Sequence, residues 1–287
     1  MSALPASSLS GLPEGTRPRA DPPAKLWYTR CAVPTASGIA FDQGWLSGLY
    51  ANEGVEIGIL QEAPLDIARH HYDHDLPGLI REGGNVPAIV ARAAGAPTRL
   101  VGLTWIDERQ AIVVRDNVPQ RGASLKRRRI AVPGWAAERH ASHQRAMALA
   151  GFASALAHQG LSLDDVVHVV LPVGVTIPPG HLRKRGPKGE WAGVHAVADG
   201  RADAAYIKGA AAIEAARAAG LVVEVELDQL PDRRFRVNNG TPRPLTVHED
   251  LLQSRPEWVI GFLAQTLRAA AWATDHPADV RAILARV

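Results

Sequence analysis

Cysteine is almost absent from this chain of 287 residues, which has only Cys31. A single thiol excludes an internal disulfide framework and any metal site built from several cysteines. The spacing of His70, His71 and His74 is one that metal ligands can have, but without cysteine partners we interpret these residues as proton-transfer or hydrogen-bonding groups. Because the sequence also lacks a nucleotide-binding loop, we expect no metal and no other cofactor.

Long hydrophobic runs and a strong excess of one charge are lacking as well. No uninterrupted apolar run is long enough to cross a bilayer, and residues 1–26 contain no apolar core of the kind that a secretory signal requires. The 32 basic and 29 acidic residues leave a net charge of +3, which gives no indication of nucleic-acid binding. We therefore expect a cytoplasmic, monomeric protein without a membrane span or a nucleic-acid partner.

The sequence does contain an alternation of strand-like and helix-like segments, which restarts in its second half. Strands that alternate with helices predict parallel sheets covered by helices. The pattern thus predicts an α/β protein with two lobes, each a mostly parallel sheet flanked by helices, joined by crossings near residues 115–118 and 237–247. The expected units are a disordered leader at 1–25, a first lobe at 26–116 plus 243–287, and a second lobe at 117–242.

The periodicity of apolar residues predicts the individual elements. A first strand is expected at 26–29, with Cys31 just beyond its carboxyl end, where open α/β sheets bind ligands. His71 and its neighbours are interpreted as a loop. Helices are expected at 36–52, 86–93, 136–158 and 256–273.

A charged segment after the second predicted strand contains the strongest candidates for chemistry. His71 offers an acid or base near neutral pH, and Arg81 offers a planar fork for a bidentate oxyanion. Gly83 and Gly84 precede an apolar helical run, where backbone N–H groups can approach an anion. Facing one anion together with Cys31, these groups would form a nucleophilic site. The alternatives are a cysteine buried as a small hydrophobe and an arginine in a surface ion pair.

The second half of the chain has two candidates for substrate contact. Trp135 follows a predicted strand and could supply a ring or anion contact from the second lobe. Lys208 also follows a predicted strand, at a position from which it would reach a central cleft. The charged residues of the helix that follows Trp135 are interpreted as surface residues; they are Arg139, His140, His143 and Arg145.

Several segments carry a resemblance to a known family. Residues 28–34, 71–77, 81–84 and 99–103 resemble the 2′-hydroxybiphenyl-2-sulfinate desulfinase family, and the similarity runs from about residue 26 to the C-terminus. That family releases sulfite from an aromatic sulfinate. Its fold is that of the type II periplasmic binding proteins, so the resemblance implies the same two-lobed architecture.

The resemblance also implies roles for individual residues. Cys31 takes the place of the family's essential cysteine, His71 that of its catalytic histidine, and Arg81 that of the arginine that holds the sulfinate. Gly84 would donate a backbone N–H to the same oxygens, and Thr29 would stand near the thiol.

The chain departs from the family in the second lobe. Residues 207–212, which include Lys208, replace tryptophans of the family, so the pocket should prefer a smaller or more anionic substrate than a biphenyl. Tyr72 keeps an aromatic ring beside the histidine and is a candidate substrate contact. The chain ends at Val287, short of the family's usual end, which would remove a closing helix.

The predicted function is hydrolytic desulfination of an organic, aromatic sulfinate in the cleft between the lobes. Cys31 could attack sulfur while His71 manages protons. Alternatively, Cys31 could protonate the carbon that bears sulfur, with Arg81 stabilising the departing sulfur dioxide. The competing functions are a solute-binding protein of the nitrate, sulfonate or taurine transporter type, or a sensor of a sulfur compound, since either could share the fold without turnover.

Overall fold

The computed structural model describes residues 25–30, 35–116, 124–137, 142–173, 191–239 and 241–286. The strands are β1 (Lys25–Arg30), β2 (Glu56–Ile59), β3 (Leu79–Glu82), β4 (Thr98–Thr104), β5 (Gln110–Arg115), β6 (Arg129–Pro133), β7 (Val167–Leu171), β8 (Ala204–Lys208), β9 (Leu221–Glu226) and β10 (Arg243–His248). The α-helices are α1 (Ala36–Asp42), α2 (Trp45–Ala51), α3 (Leu65–Ala68), α4 (His70–Asp73), α5 (Asn85–Ala93), α6 (His143–His158), α7 (Ala192–Ala198), α8 (Ala210–Ala218), α9 (Glu249–Ser254), α10 (Pro256–Asp275) and α11 (Pro277–Arg286).

The strands form two five-stranded sheets, in the orders β2-β1-β3-β10-β4 and β7-β6-β8-β5-β9. In the first sheet β10 runs antiparallel to both of its neighbours, and in the second β5 does so. The other neighbouring strands are parallel. Each sheet is therefore mostly parallel, with helices packed on it, as the sequence predicts.

The core of the first lobe lies on one face of its sheet. Leu26, Tyr28 and Ile80 share this face because side chains alternate along a strand, and they pack against Trp258 and Phe262 of α10. Burying a side chain such as Phe contributes about 1.5–3 kcal/mol. The helix predicted at 256–273 is thus confirmed as the element that covers this face.

The second sheet is covered on both faces, so its central strands are buried throughout. Ile112 and Val114 point into one apolar cluster, and Val113 points into the other. This double burial explains why β5 is a continuous apolar run without alternation.

Several local predictions are wrong. Two strands were not expected: β3, which lies in the predicted loop, and β10, which lies in the predicted return crossing. His71 lies in the short helix α4 instead of a loop. The helix expected at 36–52 is two helices separated by Gly44, whose φ of 71° is left-handed, and the helix expected at 136–158 begins at His143.

The first crossing between the sheets also differs from the prediction. Strand β5 belongs to the second sheet, so the chain leaves the first sheet between Thr104 and Gln110, ahead of residues 115–118. The boundary expected at residue 116 therefore falls inside the second lobe. The return lies between Glu226 and Arg243.

Part of the predicted leader, residues 1–24, lies outside the described residues. Within the ranges that the structure describes, no helix has the length and apolar character needed to cross a membrane.

Candidate active site

The carboxyl edge of the first sheet brings two of the predicted residues together. Thr29 and Arg81 are register partners on the parallel strands β1 and β3, so their side chains lie side by side on one face. Each is 1% exposed. A buried hydroxyl and a buried guanidinium thus meet where strands of an open α/β sheet usually present their ligands.

His71 reaches the same place from α4. Its Nδ1 is hydrogen-bonded to Thr29 Oγ1 at 2.9 Å, and Arg81 Nε donates to the carbonyl oxygen of His71 at 2.8 Å. The imidazole is 1% exposed. The side chain of Arg81 therefore fixes the turn that carries the imidazole, while Thr29 fixes the ring.

The two glycines after β3 have different parts in this site. A Cβ atom on Gly83 would lie 2.7 Å from Arg81 Nη2, so the guanidinium occupies space that only glycine leaves open. The N–H of Gly83 donates to the carbonyl oxygen of Pro244 at 3.2 Å. Gly84 is the N-cap of α5, and its carbonyl oxygen lies 3.5 Å from Arg81 Nη1. The start of a nine-residue helix thus adjoins the arginine, an arrangement that favours anions.

Burial and positive charge both act on the histidines. Burial, followed by the charge of Arg81, lowers the pKa of His71 well below its ordinary value. The same two causes, in the same order, lower the pKa of His74. Both imidazoles are therefore neutral at neutral pH in the ligand-free site.

The lowered pKa values make stability depend on pH. Above about pH 6.5 both imidazoles are neutral whether the chain is folded or unfolded. Below that pH the unfolded chain binds protons that buried His71 and His74 resist, so we expect the free energy of unfolding to fall by up to about 1.4 kcal/mol per pH unit for each histidine. Urea titrations at about pH 7.5, 6.5 and 5.5 measure this slope.

Two variants identify the source of that slope. His74→Asn should reduce this slope, because it removes one of the two buried imidazoles. Asparagine is chosen because it tolerates the left-handed backbone of this position, where φ is 60°. His168→Gln should leave it unchanged, because His168 is exposed on β7. A slope that survives His74→Asn unaltered would contradict a neutral, buried imidazole at that position.

Aromatic rings connect this site to the second lobe. The ring of Tyr72 meets that of His71 edge-on, with centroids 5.1 Å apart, and stacks on that of His143 at 5.3 Å and 15°. His143 opens α6 of the second lobe and is partly buried. The interpretation of His143 as a surface residue is therefore wrong, because the partner of its ring comes from the other lobe. Arg139 and His140 lie outside the described residues.

The second lobe has an apolar cavity of about 190 Å³ at the carboxyl ends of its parallel strands. Its lining includes Met147, Trp191, Tyr206 and Lys208. Lys208 forms a half-buried ion pair with Glu108, so the ammonium charge is largely offset. Trp135 is 59% exposed and does not line this cavity; the guanidinium of Arg145 lies 5.0 Å from its ring.

The opposite face of β3 carries a buried carboxylate that the sequence does not single out. Glu82 is 0% exposed and accepts hydrogen bonds from the hydroxyls of Thr35, Ser37 and Thr104. Thr35 and Ser37 lie in the segment directly after residues 31–34. Cys31 itself lies outside the described residues, so its role stays a prediction.

Two sheets that the chain links by two crossings, with a buried site at a carboxyl edge, define a fold of the type II periplasmic-binding-protein kind. The aliphatic sulphonate binding protein SsuA of Escherichia coli shares it, with a TM-score of 0.60, 20% identity, and 92% of this chain and 74% of that chain covered. No family model matches the chain.

The resemblance to the desulfinase family is confirmed. The chain is 28% identical to the 2′-hydroxybiphenyl-2-sulfinate desulfinase of Rhodococcus erythropolis, over 88% of this chain and 73% of that protein. The crystal structure of desulfurization enzyme DszB superposes with a TM-score of 0.63 at 26% identity, covering 92% of this chain and 80% of that chain. A DszB mutant in complex with biphenyl-2-sulfinic acid superposes with a TM-score of 0.67 at 24% identity, over 91% and 80% of the two chains.

Proposed function

We propose that this protein is a desulfinase that hydrolyses the carbon–sulfur bond of an organic sulfinate and releases sulfite. The observation that carries the proposal is the buried contact of Arg81 with His71, in a chain similar to a sulfinate desulfinase along most of its length. A sulfinate anion and water give the hydrocarbon and hydrogen sulfite, so no oxidant or reductant is needed. Such a reaction needs a group that binds the anion, a group that donates a proton to the carbon atom, and a water molecule.

Arg81, His71 and Cys31 take these roles in our proposal. Arg81 holds the sulfinate oxygens, because a guanidinium matches their geometry with two parallel hydrogen bonds. Thr29 orients His71 through Nδ1. Cys31 follows directly on β1, whose end lies at the carboxyl edge of the sheet.

The electrostatics favour one of the two mechanisms. Nucleophilic attack by Cys31 requires a thiolate beside a protonated imidazole, yet burial and Arg81 lower the pKa of His71. Protonation of carbon by the neutral thiol requires no imidazolium. In that route the carbon–sulfur bond breaks as the proton arrives, and sulfur dioxide leaves next to Arg81. Water converts it to hydrogen sulfite, and the proton released in this step returns to the thiolate of Cys31.

The cavity of the second lobe supplies room for the organic group. Its lining is largely apolar, and a cavity of about 150 Å³ is known to hold a benzene ring. At about 190 Å³ the space supports a substrate smaller than a biphenyl. Since Glu108 offsets Lys208, the expected preference for a more anionic substrate has less support.

Sulfite release from aryl and alkyl sulfinates tests the proposal. The wild type should release sulfite from at least one member of such a panel, and Cys31→Ser should abolish turnover while substrate binding is retained. Circular dichroism controls for folding. Turnover that persists in Cys31→Ser would remove the thiol from the mechanism.

A binding protein of the sulfonate-transporter type is the outcome if no sulfinate turns over and sulfonates bind equally to the wild type and to Cys31→Ser. The cytoplasmic location, the monomeric state and the lack of nucleic-acid binding stay predictions. Size-exclusion chromatography with light scattering tests the monomer.

A further inference from the structure

Arg243, the first residue of β10, is a buried cation with unused hydrogen-bond donors. It is 1% exposed, and its Nε and Nη2 atoms are buried without a hydrogen-bond partner among the described residues. A guanidinium is always protonated and has five N–H donors. Burying it without a counter-charge is costly, so such a residue usually has an anionic partner.

The register of the sheet places Arg243 at the predicted anion site. Leu245 pairs with Glu82 on the antiparallel strand β3, and the N–H of Gly83 donates to the carbonyl oxygen of Pro244 at 3.2 Å. Continuing this register by one residue sets Arg243 opposite Gly84. Gly84 is the N-cap of α5, and its carbonyl oxygen is also the one that Arg81 approaches.

Among the described residues, the buried carboxylate on the face of Arg243 is that of Glu82, which has hydrogen bonds to other groups. Glu82 accepts hydrogen bonds from the hydroxyls of Thr35, Ser37 and Thr104, and neither Nε nor Nη2 of Arg243 donates to it. Thr104, one of the donors to Glu82, is the register partner of Arg243 on β4. The carboxylate of Glu82 and the guanidinium of Arg243 therefore lie near each other.

The buried charges of this edge do not balance. Among the described residues of the first lobe, three arginines are buried, Arg30, Arg81 and Arg243, against the single buried carboxylate of Glu82. Three positive charges and one negative charge leave a surplus of two. Arg30 likewise has a buried Nε without a hydrogen-bond partner in the described part of the chain. The positive charge of Arg243 contributes to the lowered pKa of His71 and opposes the raised pKa of Tyr28, so its field reaches residues on both faces of the sheet.

We propose that Arg243 is a second anion-binding residue, which holds a sulfur oxyanion together with Arg81 at the start of α5. That the anion is the sulfinate, and after the reaction sulfite, rests on the proposed function. Arg81 approaches from the face of His71 and Arg243 from the face of Glu82. A sulfinate carries one negative charge and sulfite up to two, so either anion reduces the surplus that the protein leaves.

Calorimetric titration with sulfite and with benzenesulfinate tests Arg243 without requiring turnover. Arg243→Gln should weaken the binding of both anions by about tenfold or more, because it removes one charged partner of a buried contact. Arg243→Lys keeps the charge but loses the planar fork, so it should bind more weakly than the wild type and more tightly than Arg243→Gln. Arg99→Gln is the control, because Arg99 pairs with Glu249 on the surface of the same sheet.

The outcomes separate this inference from the proposed function. Equal anion affinities in the wild type and Arg243→Gln would overturn it, even if the protein proves to be a desulfinase. Weakened anion binding in a protein that turns over no sulfinate would support it and defeat the desulfinase. If Arg243→Gln does not fold, the lysine variant decides: an unchanged dissociation constant for both anions would overturn the inference.

Discussion

Replacing Arg81 with lysine should lower kcat/KM for a sulfinate by about 100-fold or more, because removing one preorganised donor to a developing oxyanion has an effect of this size. Lysine keeps the charge but cannot form two parallel hydrogen bonds to the oxygens. It also lacks the Nε that donates to the carbonyl oxygen of His71, so the turn that carries the imidazole loses its support. Steady-state sulfite release measures the loss, and calorimetry shows how much of it is binding.

A glycine substitution tests the same geometry without changing the arginine. Gly83→Ala places a methyl group within 3 Å of the guanidinium and should displace it, which would reproduce most of the loss in Arg81→Lys. Gly48→Ala is the matched control, because a Cβ at Gly48 meets no atom within 4 Å. If Arg81→Lys retains a kcat/KM close to that of the wild type, catalysis requires neither the planar fork of Arg81 at the substrate nor its hydrogen bond to the turn of His71.

The fold and part of the site could be predicted from the sequence. The alternation of apolar segments predicts two mostly parallel sheets because each element must bury one face or both. His71 and Arg81 could be selected because their side chains offer chemistry in a segment without a helical or strand period. Gly83 could be selected as a position where another group approaches the backbone closely. In the structure this group is the guanidinium of Arg81.

Two strands could not be predicted, and the missed residues lie on or beside them. Strand β3 has four residues, half of them charged, and every one is buried. Strand β10 begins with an arginine and a proline and is buried throughout. Strand β3 lacks the alternation that indicates a strand, because charged residues stand in half of its buried positions, and in β10 only the last four residues alternate. Glu82 and Arg243 were therefore missed, and the contact of His143 with Tyr72 depends on how the two lobes pack.

The buried carboxylate of Glu82 should be the most sensitive point of the first lobe for stability. Glu82→Ala removes the acceptor of three hydroxyl hydrogen bonds and raises the surplus of buried positive charge from two to three. Removing one partner of a buried charged network costs about 3–5 kcal/mol, so we expect a loss of this size in the free energy of unfolding. Urea unfolding measures it, and Glu249→Ala, which removes a surface ion pair, should cost less than about 1 kcal/mol.

Glu82→Gln separates the charge from the hydrogen bonds. Glutamine keeps an acceptor oxygen and the shape of the side chain, so its loss of stability should be smaller than that of Glu82→Ala and due mainly to the uncompensated arginines. An anion bound between Arg81 and Arg243 would restore part of the missing negative charge. Sulfite should therefore raise the melting temperature of Glu82→Gln by more than it raises that of the wild type. An equal rise in both proteins would show that the carboxylate and the anion do not act on the same buried charges, and that Glu82 serves only to hold the hydroxyls of Thr35, Ser37 and Thr104.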